Sequence, residues 1–250
     1  MIPFSADIVS PIAYSPPREC GLDLIYCDDS LLIVNKPAGL LSVPGRGTDK
    51  MDSMTTRVQN EFPDALSAHR LDMSTSGLLM FARGENMHRL VSRLFREHKI
   101  HKSYIALVAG RMKITAGEVN LPLGADWPNR PRQKVEFTSG KPALTRYCVL
   151  ENTEGPEREI QENTKNMGSL PLPQDELDYG ASRVELKPVT GRTHQLRVHM
   201  AAIGHPILGD VLYGGAASKA AERLMLHARV LSFVHPFSEM SLTLICEPPF

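Results

Sequence analysis

No apolar stretch of this chain approaches the ~18 residues that a membrane-crossing helix needs. Its first residues lack a basic segment leading into an apolar core, so no secretory leader is expected. Cysteine is sparse: Cys20, Cys27, Cys148 and Cys246 are scattered, with no C-x-x-C pair. That argues against a disulfide framework or a zinc site and suits a reducing compartment. His194, His199 and His205 lie close together in the chain, but the i, i+5 spacing of the first two keeps them off one helix face, so no metal site is expected. A Walker-type loop, an H-E-x-x-H and a G-x-G-x-x-G are all missing, which removes the usual signs of nucleotide, metalloprotease or dinucleotide chemistry. The expectation is a cytoplasmic, monomeric protein without membrane, metal or cofactor.

What is present suits one large domain. The chain has 250 residues, 42% of them hydrophobic and 22% charged, enough to bury a substantial core. A net charge of zero is a poor omen for a nucleic-acid partner, but it conceals an asymmetry. Residues 151–180 hold eight acids and two bases, so 26 bases face 20 acids elsewhere. That surplus of basic charge permits RNA binding.

Residues 1–21 carry Pro3, Pro11, Pro16 and Pro17 and read as an irregular leader, with the main domain over 22–250. Apolar runs at 22–27 and 31–34, separated by Asp28-Asp29-Ser30, predict a hairpin. Further strands are expected at 77–82, 103–109, 134–137, 144–150, 183–187, 228–234 and 241–246. Met87, Leu90, Val91, Leu94 and Phe95 fall at helical spacing, with Arg89, Arg93 and Arg96 as a separate stripe. Thr193 is placed to cap a second helix that stops at Gly204. Many strands with few helices between them predict an α+β fold on a mixed, largely antiparallel sheet, and speak against a doubly wound nucleotide-binding fold. The polar stretch 151–180, with Pro156, Pro171 and Pro173, reads as a long mobile insertion.

The segment His69-Arg70-Leu71-Asp72-Met73-Ser74-Thr75-Ser76-Gly77 puts a carboxylate in a loop beside an apolar strand, a placement common to catalytic groups. Ser74, Thr75 and Ser76 are expected to hydrogen-bond the loop's backbone. Taken alone, an Asp followed by small hydroxyl residues is more often a turn or cap than a catalyst.

It does not stand alone. H-R-L-D-x-x-T-S-G resembles the catalytic motif of RluA-type pseudouridine synthases, and further resemblances follow in order along the chain. Asp28-Asp29 through Val34-Asn35-Lys36-Pro37-Ala38-Gly39-Leu40 is similar to the family's leading hairpin, and Lys102-Ser103-Tyr104 to its second motif. Thr190-Gly191-Arg192-Thr193-His194-Gln195-Leu196-Arg197-Val198-His199 is similar to its third, followed by Gly204-His205-Pro206-Ile207-Leu208-Gly209-Asp210. Several long motifs in register leave little room for coincidence. Leu40 to Arg46 and Asp126-Trp127-Pro128-Asn129-Arg130-Pro131 narrow the resemblance to the branch acting on both tRNA and 23S rRNA, although the insertion at 151–180 departs from it.

The resemblance implies the pseudouridine synthase fold, no separate RNA-binding domain, and isomerisation of an anticodon-loop uridine of tRNA and a hairpin-loop uridine of 23S rRNA. That reaction breaks the ribose C1′–N1 bond and rejoins C1′ to C5 without redox, so it needs no cofactor. Asp72 is then the essential carboxylate, as nucleophile, as stabiliser of positive charge on the sugar, or as base on a route through a glycal. Arg197 would hold and orient Asp72 from the flank of its helix, whose buried stripe is Leu196, Met200 and Ile203. Tyr104 would stack on the uracil and serve proton transfer, and Arg70 would fill the space left by the flipped base. His69 is read as structural, bonding to backbone. Arg89, Arg93 and Arg96, together with Trp127, Arg130, Arg132 and Lys134, are candidate RNA contacts. Two other classes stay open: an RNA-binding or folding module with incidental activity, and a carboxylate-dependent nucleoside or sugar hydrolase, which would need a second carboxylate supplied by folding.

Overall fold

The structure, a computed structural model, describes residues 14–153 and 180–250. Residues 1–13 of the leader and most of the acidic insertion lie outside the described residues. The elements run β1 (Leu24–Cys27), β2 (Leu31–Lys36), α1 (Met54–Glu61), β3 (Ala65–Ser67), β4 (Ser76–Arg83), α2 (Gly84–Arg96), β5 (His101–Ala109) and β6 (Ala116–Asn120). They continue with β7 (Leu123–Ala125), β8 (Gln133–Val135), β9 (Leu144–Thr153), β10 (Ala181–Pro188), α3 (Gln195–Ala202), β11 (Leu226–Val234) and β12 (Ser241–Ile245).

The main sheet follows the order β1-β2-β4-β11-β5-β10-β9-β6, with β12 on β11 and β3 on β4, while β7 and β8 form a separate hairpin. Among the described strands, only the β4–β11 pairing is parallel. The mixed, largely antiparallel sheet expected from the sequence is therefore present.

β2 and β4 are apolar on both faces because helices cover both. Leu31, Ile33, Leu78 and Met80 turn towards Met87 and Val91 of α2, and Leu32, Val34, Leu79 and Phe81 turn towards Met54 and Val58 of α1. Strand alternation alone divides the residues between the two cores. A third core, Val108, Val184, Leu186, Leu196 and Met200, lies beneath α3. Tyr104 packs against both the second and the third cores, which places it at their junction.

Three sequence expectations need correction. Thr193 does not cap α3: the N-cap is His194, in the left-handed region at φ 54°, and makes no side-chain cap. The first helical amide is met by backbone instead, since the Gln195 N–H donates to Arg192 O at 3.1 Å, and Gln195 Oε1 fixes the entering turn by accepting the Arg192 N–H at 3.0 Å and the Thr190 hydroxyl at 2.7 Å. Nor does α3 show only one apolar stripe to the interior, for Gln195 through Met200 are all buried. The helix sits between the sheet and the β7–β8 hairpin, so it has little solvent face. β8 also ends before Phe137, which is 77% exposed.

The described part of the leader is tied down rather than loose. Tyr14 donates its hydroxyl to Asp52 O at 2.9 Å and accepts the Leu41 N–H at 3.0 Å. Buried Arg57 binds Asp52 through two nitrogens, each at 2.8 Å, and donates to Pro17 O at 2.6 Å. These contacts strap the chain across the Leu41–Ser42 turn.

Candidate active site

Asp72 lies in the loop between β3 and β4, and both of its neighbours are pinned from outside. Ser42 Oγ donates to Leu71 O at 2.7 Å and accepts the Leu71 N–H at 3.0 Å. On the other side, Met73 O accepts the Gly39 N–H at 2.9 Å and the Lys36 ammonium at 3.0 Å. Lys36 is fully buried and donates to Pro37 O and Leu40 O as well, each at 2.7 Å. Burial pulls its ammonium down to about 7, with Asp72 opposing and Arg223 adding to the fall.

The hydroxyls of Ser74, Thr75 and Ser76 make no hydrogen bond to the loop's own backbone, contrary to the sequence reading. Ser76 is buried against β11 and bonds His227 Nδ1 at 2.8 Å and Arg223 at 2.5 Å instead. The loop exits through Gly77, at φ 109°, where a Cβ would stand 2.3 Å from Ala228 O. Only glycine lets β4 approach β11 this closely.

Arg197 reaches Asp72 from α3. Its Nη1 donates to Asp72 Oδ2 at 3.2 Å, while Nε and Nη2 grip Asp210 at 2.8 and 2.7 Å. Asp210 is itself oriented by the amides of Leu212 and Tyr213, at 3.0 and 3.2 Å. Burial works against the charge on Arg197, but hydrogen bonding to and attraction by Asp210, then by Asp72, outweigh it and raise its pKa. The fork-to-fork pair with Asp210 leaves one guanidinium N–H in a fixed direction for Asp72. Asp72 Oδ1 receives no hydrogen bond from any described residue, so it remains free for a reacting atom.

Asp72, Arg197, Tyr104 and Arg70 line one cleft of about 730 Å³. The structure thus gathers all four residues marked as the site in the sequence. Burial and, second, the charge of Asp72 push the Tyr104 phenol above its ordinary range, so it is a proton donor in the free protein. Asp72 is the one carboxylate among the described residues that line this cleft, whereas Arg70, Arg96, Lys102 and Arg192 add positive charge. Such a lining suits a polyanionic ligand.

His69 is structural, as its sequence reading held: its Nε2 accepts the Met80 N–H at 3.1 Å. Burial, helped by Lys102, holds its imidazole down to about 3. Since an unfolded histidine titrates near 6.5, acid favours the unfolded chain, and this stability is complete above pH ~6.5 and lost as pH falls towards 3. We predict that His69→Gln flattens the acid limb of stability. Comparing denaturant unfolding at pH 7 and 5, wild type should lose up to about 2 kcal/mol more than the variant.

The remaining candidates divide. On α2, Arg93 pairs with Glu97 at 2.6 Å and Arg89 is held by Asn86, leaving Arg96 in the cleft. On the β7–β8 hairpin, Arg132 is engaged by Leu212 O and Lys134 pairs with Glu136 at 3.0 Å. Arg130 stacks 3.6 Å above the Trp127 ring, which is 67% exposed.

Four site residues escaped the sequence reading of roles. Asp210, His194, Tyr213 and Lys102 all lie in or beside motifs quoted there, but nothing in their spacing says which way they face. His194 Nε2 stands 3.8 Å from Asp72 Oδ2, and its Nδ1 is 2.6 Å from the Tyr213 hydroxyl. Burial pushes its imidazole below the usual value, Asp72 and Asp210 pull it up, and Arg197 pushes it down.

Comparison with known proteins agrees with this geometry. Residues 30–202 match the family model for RNA pseudouridylate synthase. The chain is 46% identical over 231 residues to the dual-specificity RNA pseudouridine synthase RluA of Escherichia coli (strain K12), covering 92% of this chain and 94% of that protein. It is 45% identical over 240 residues to the protein of the same name from Pasteurella multocida (strain Pm70), covering 96% and 99%. Among solved structures, human RNA pseudouridylate synthase domain containing 1 superposes with a TM-score of 0.72 at 29% identity, covering 94% of this chain and 87% of that one.

Proposed function

The chain belongs to the RNA pseudouridylate synthase family and is a pseudouridine synthase acting on RNA, and from that premise we propose that it serves two substrates, an anticodon-loop uridine of tRNA and a hairpin-loop uridine of 23S rRNA. The identity to dual-specificity relatives over nearly the whole chain supports two substrates rather than one. The protein acts as a monomer in the cytoplasm, where both RNAs are made, and needs no cofactor because the isomerisation is redox-neutral.

The observation that carries the chemistry is a single carboxylate in a cationic cleft, held at one oxygen by Arg197 and open at the other. The target uridine is flipped out of its loop, at a cost of a few kcal/mol, so that C1′ faces Asp72 Oδ1. Arg70 fills the vacated space in the RNA. Tyr104 stacks on the base and, entering as the protonated phenol, donates to it or to the detached uracil. The protein isolates the severed base from water and turns it; C5 then rejoins C1′, and the C5 proton passes to the Tyr104 oxygen while N1 keeps the proton that the phenol gave it. A two-carboxylate hydrolase mechanism finds no second free carboxylate among the described lining residues.

The test is to map carbodiimide-reactive pseudouridines in tRNA and 23S rRNA from cells with and without the gene. One gene-dependent site in each RNA is expected. Gene-dependent release of free uracil, or an unchanged map, would overturn the assignment.

On the hairpin, Trp127 offers RNA the ring face opposite Arg130. A base stacked on an exposed aromatic contributes ~1–3 kcal/mol. Trp127→Ala should therefore raise KM for RNA about tenfold while leaving single-turnover rates at saturating enzyme near wild type.

A further inference from the structure

Beside Asp72 lies a chain of hydrogen bonds that the reaction as described leaves unused. Tyr213 Oη accepts the Gln133 N–H at 2.8 Å, so its own proton is free for another acceptor. His194 Nδ1, at 2.6 Å, is the atom placed to be that acceptor. An imidazole that accepts at Nδ1 carries its proton on Nε2, and Nε2 is the atom facing Asp72 Oδ2 at 3.8 Å. The opposite tautomer would aim a lone pair at the carboxylate.

The backbone carries a second sign. His194 holds φ 54° and ψ 18°, in the left-handed region that non-glycine residues seldom adopt. Such conformations persist where the surroundings over-determine them and cluster at functional sites. Tyr213 is held as firmly, with its ring 5.2 Å from the Arg197 guanidinium and 5.7 Å from that of Arg132, and its amide on Asp210. It thus touches both the hairpin that bears Trp127 and the pair that fixes Arg197.

Resting on the pseudouridine synthase reading, we propose that His194 is a second positioning residue for Asp72, a neutral imidazole whose Nε2–H is set by Tyr213 to restrain Oδ2. At 3.8 Å the contact is too long for a hydrogen bond in the free protein. It shortens when the nucleotide fills the cleft, as catalytic hydrogen bonds often do on substrate binding. Arg197 and His194 then hold the same oxygen from two directions and leave Oδ1 aimed at the sugar. Gln133 extends the chain to the hairpin backbone, so the RNA-facing hairpin and the catalytic carboxylate share one line of hydrogen bonds.

Three variants test this. His194→Asn suits the left-handed backbone, but its short amide cannot reach the place of Nε2, whereas His194→Gln puts an N–H close to that place. His194→Asn should lower kcat about 100-fold, the scale of a small misplacement, with KM nearly unchanged and the thermal midpoint preserved. His194→Gln should recover most of that loss. Tyr213→Phe should lower kcat about tenfold, and combined with His194→Asn it should add nothing, because both break one chain. Equal losses in the Asn and Gln variants, losses confined to KM, or additive effects with Tyr213→Phe would overturn the proposal. Wild-type protein assayed alongside separates the two claims: no pseudouridine from wild type defeats the functional reading, whereas normal wild-type turnover with any of those patterns defeats the role of His194 alone.

Discussion

Asp72→Asn should abolish pseudouridine formation, with single-turnover rates down roughly 10⁴-fold or more, as when an enzyme loses its central catalytic group. The amide is isosteric and can still face Arg197, so neither the pinned neighbours Leu71 and Met73 nor the cleft should move. RNA affinity should stay close to wild type, because the phosphate-seeking charge of Arg70, Arg96, Lys102 and Arg192 is untouched. What disappears is the negative oxygen facing C1′. A neutral amide can neither form an ester with the sugar, nor balance positive charge on it, nor take its 2′ proton, so the prediction holds for every route open to the carboxylate. Filter binding and single-turnover assays on one transcript provide both readouts. Normal turnover in the variant would remove the mechanism. Complementation of a deletion strain adds a separate check, since full rescue of growth and RNA maturation by Asp72→Ala would mean that binding, rather than chemistry, is the cellular role.

The second large effect belongs to Asp210, which never meets the substrate. Its side chain is fully buried and that of Arg197 is 4% exposed, and the two share hydrogen bonds at 2.7 and 2.8 Å. Breaking a buried ion pair from one side costs about 3–5 kcal/mol, because the other charge is stranded. Asp210→Asn keeps an oxygen for the Leu212 and Tyr213 amides but withdraws the counter-charge, so it should fall at the lower end of that range in denaturant unfolding. Turnover should fall about 100-fold, because Arg197 loses the anchor that directs Nη1 and leans on Asp72 instead. A double replacement, Arg197→Met with Asp210→Leu, should regain much of the stability and none of the activity. If it regained both, Arg197 would have no part in positioning Asp72.

The sequence disclosed the chemistry better than its supports. Asp72, Arg70, Tyr104 and Arg197 could be named because each falls inside a contiguous motif, and the structure brings them to one cleft. The hairpin of β1 and β2, the strand β4 and the helix α2 were legible because their apolar periods are regular. Helix α1 was not, since Met-Thr-Thr-Arg-Val-Gln-Asn-Glu has only Met54 and Val58 on a buried face, with Arg57 buried through its pair with Asp52. Its start, Ser53 accepting the Thr56 N–H at 3.2 Å, is a cap that could have been found. Asp210 closes one of the quoted motifs without a role of its own, and its meaning depends on a helix thirteen residues earlier in the chain. The loop hydroxyls misled for a related reason. Local partners were assumed for Ser74, Thr75 and Ser76, whereas the loop is held by Ser42, Gly39 and Lys36 from a turn about thirty residues upstream. Long-range support of this kind leaves no periodic trace.

The insertion of β11 between β4 and β5 bears on how the protein is made. The strand that completes the middle of the sheet follows β4 and β5 by a long stretch of chain, and until it is made β5 and the start of β4 present unpaired edges. Such edges invite association with other chains. A chain ending before Leu226 would therefore lose its central seam rather than a dispensable tail. Pairing across the centre of the sheet waits for β11, and a polypeptide that has not yet reached it lacks the seam joining the strand after Asp72 to the strand that carries Tyr104.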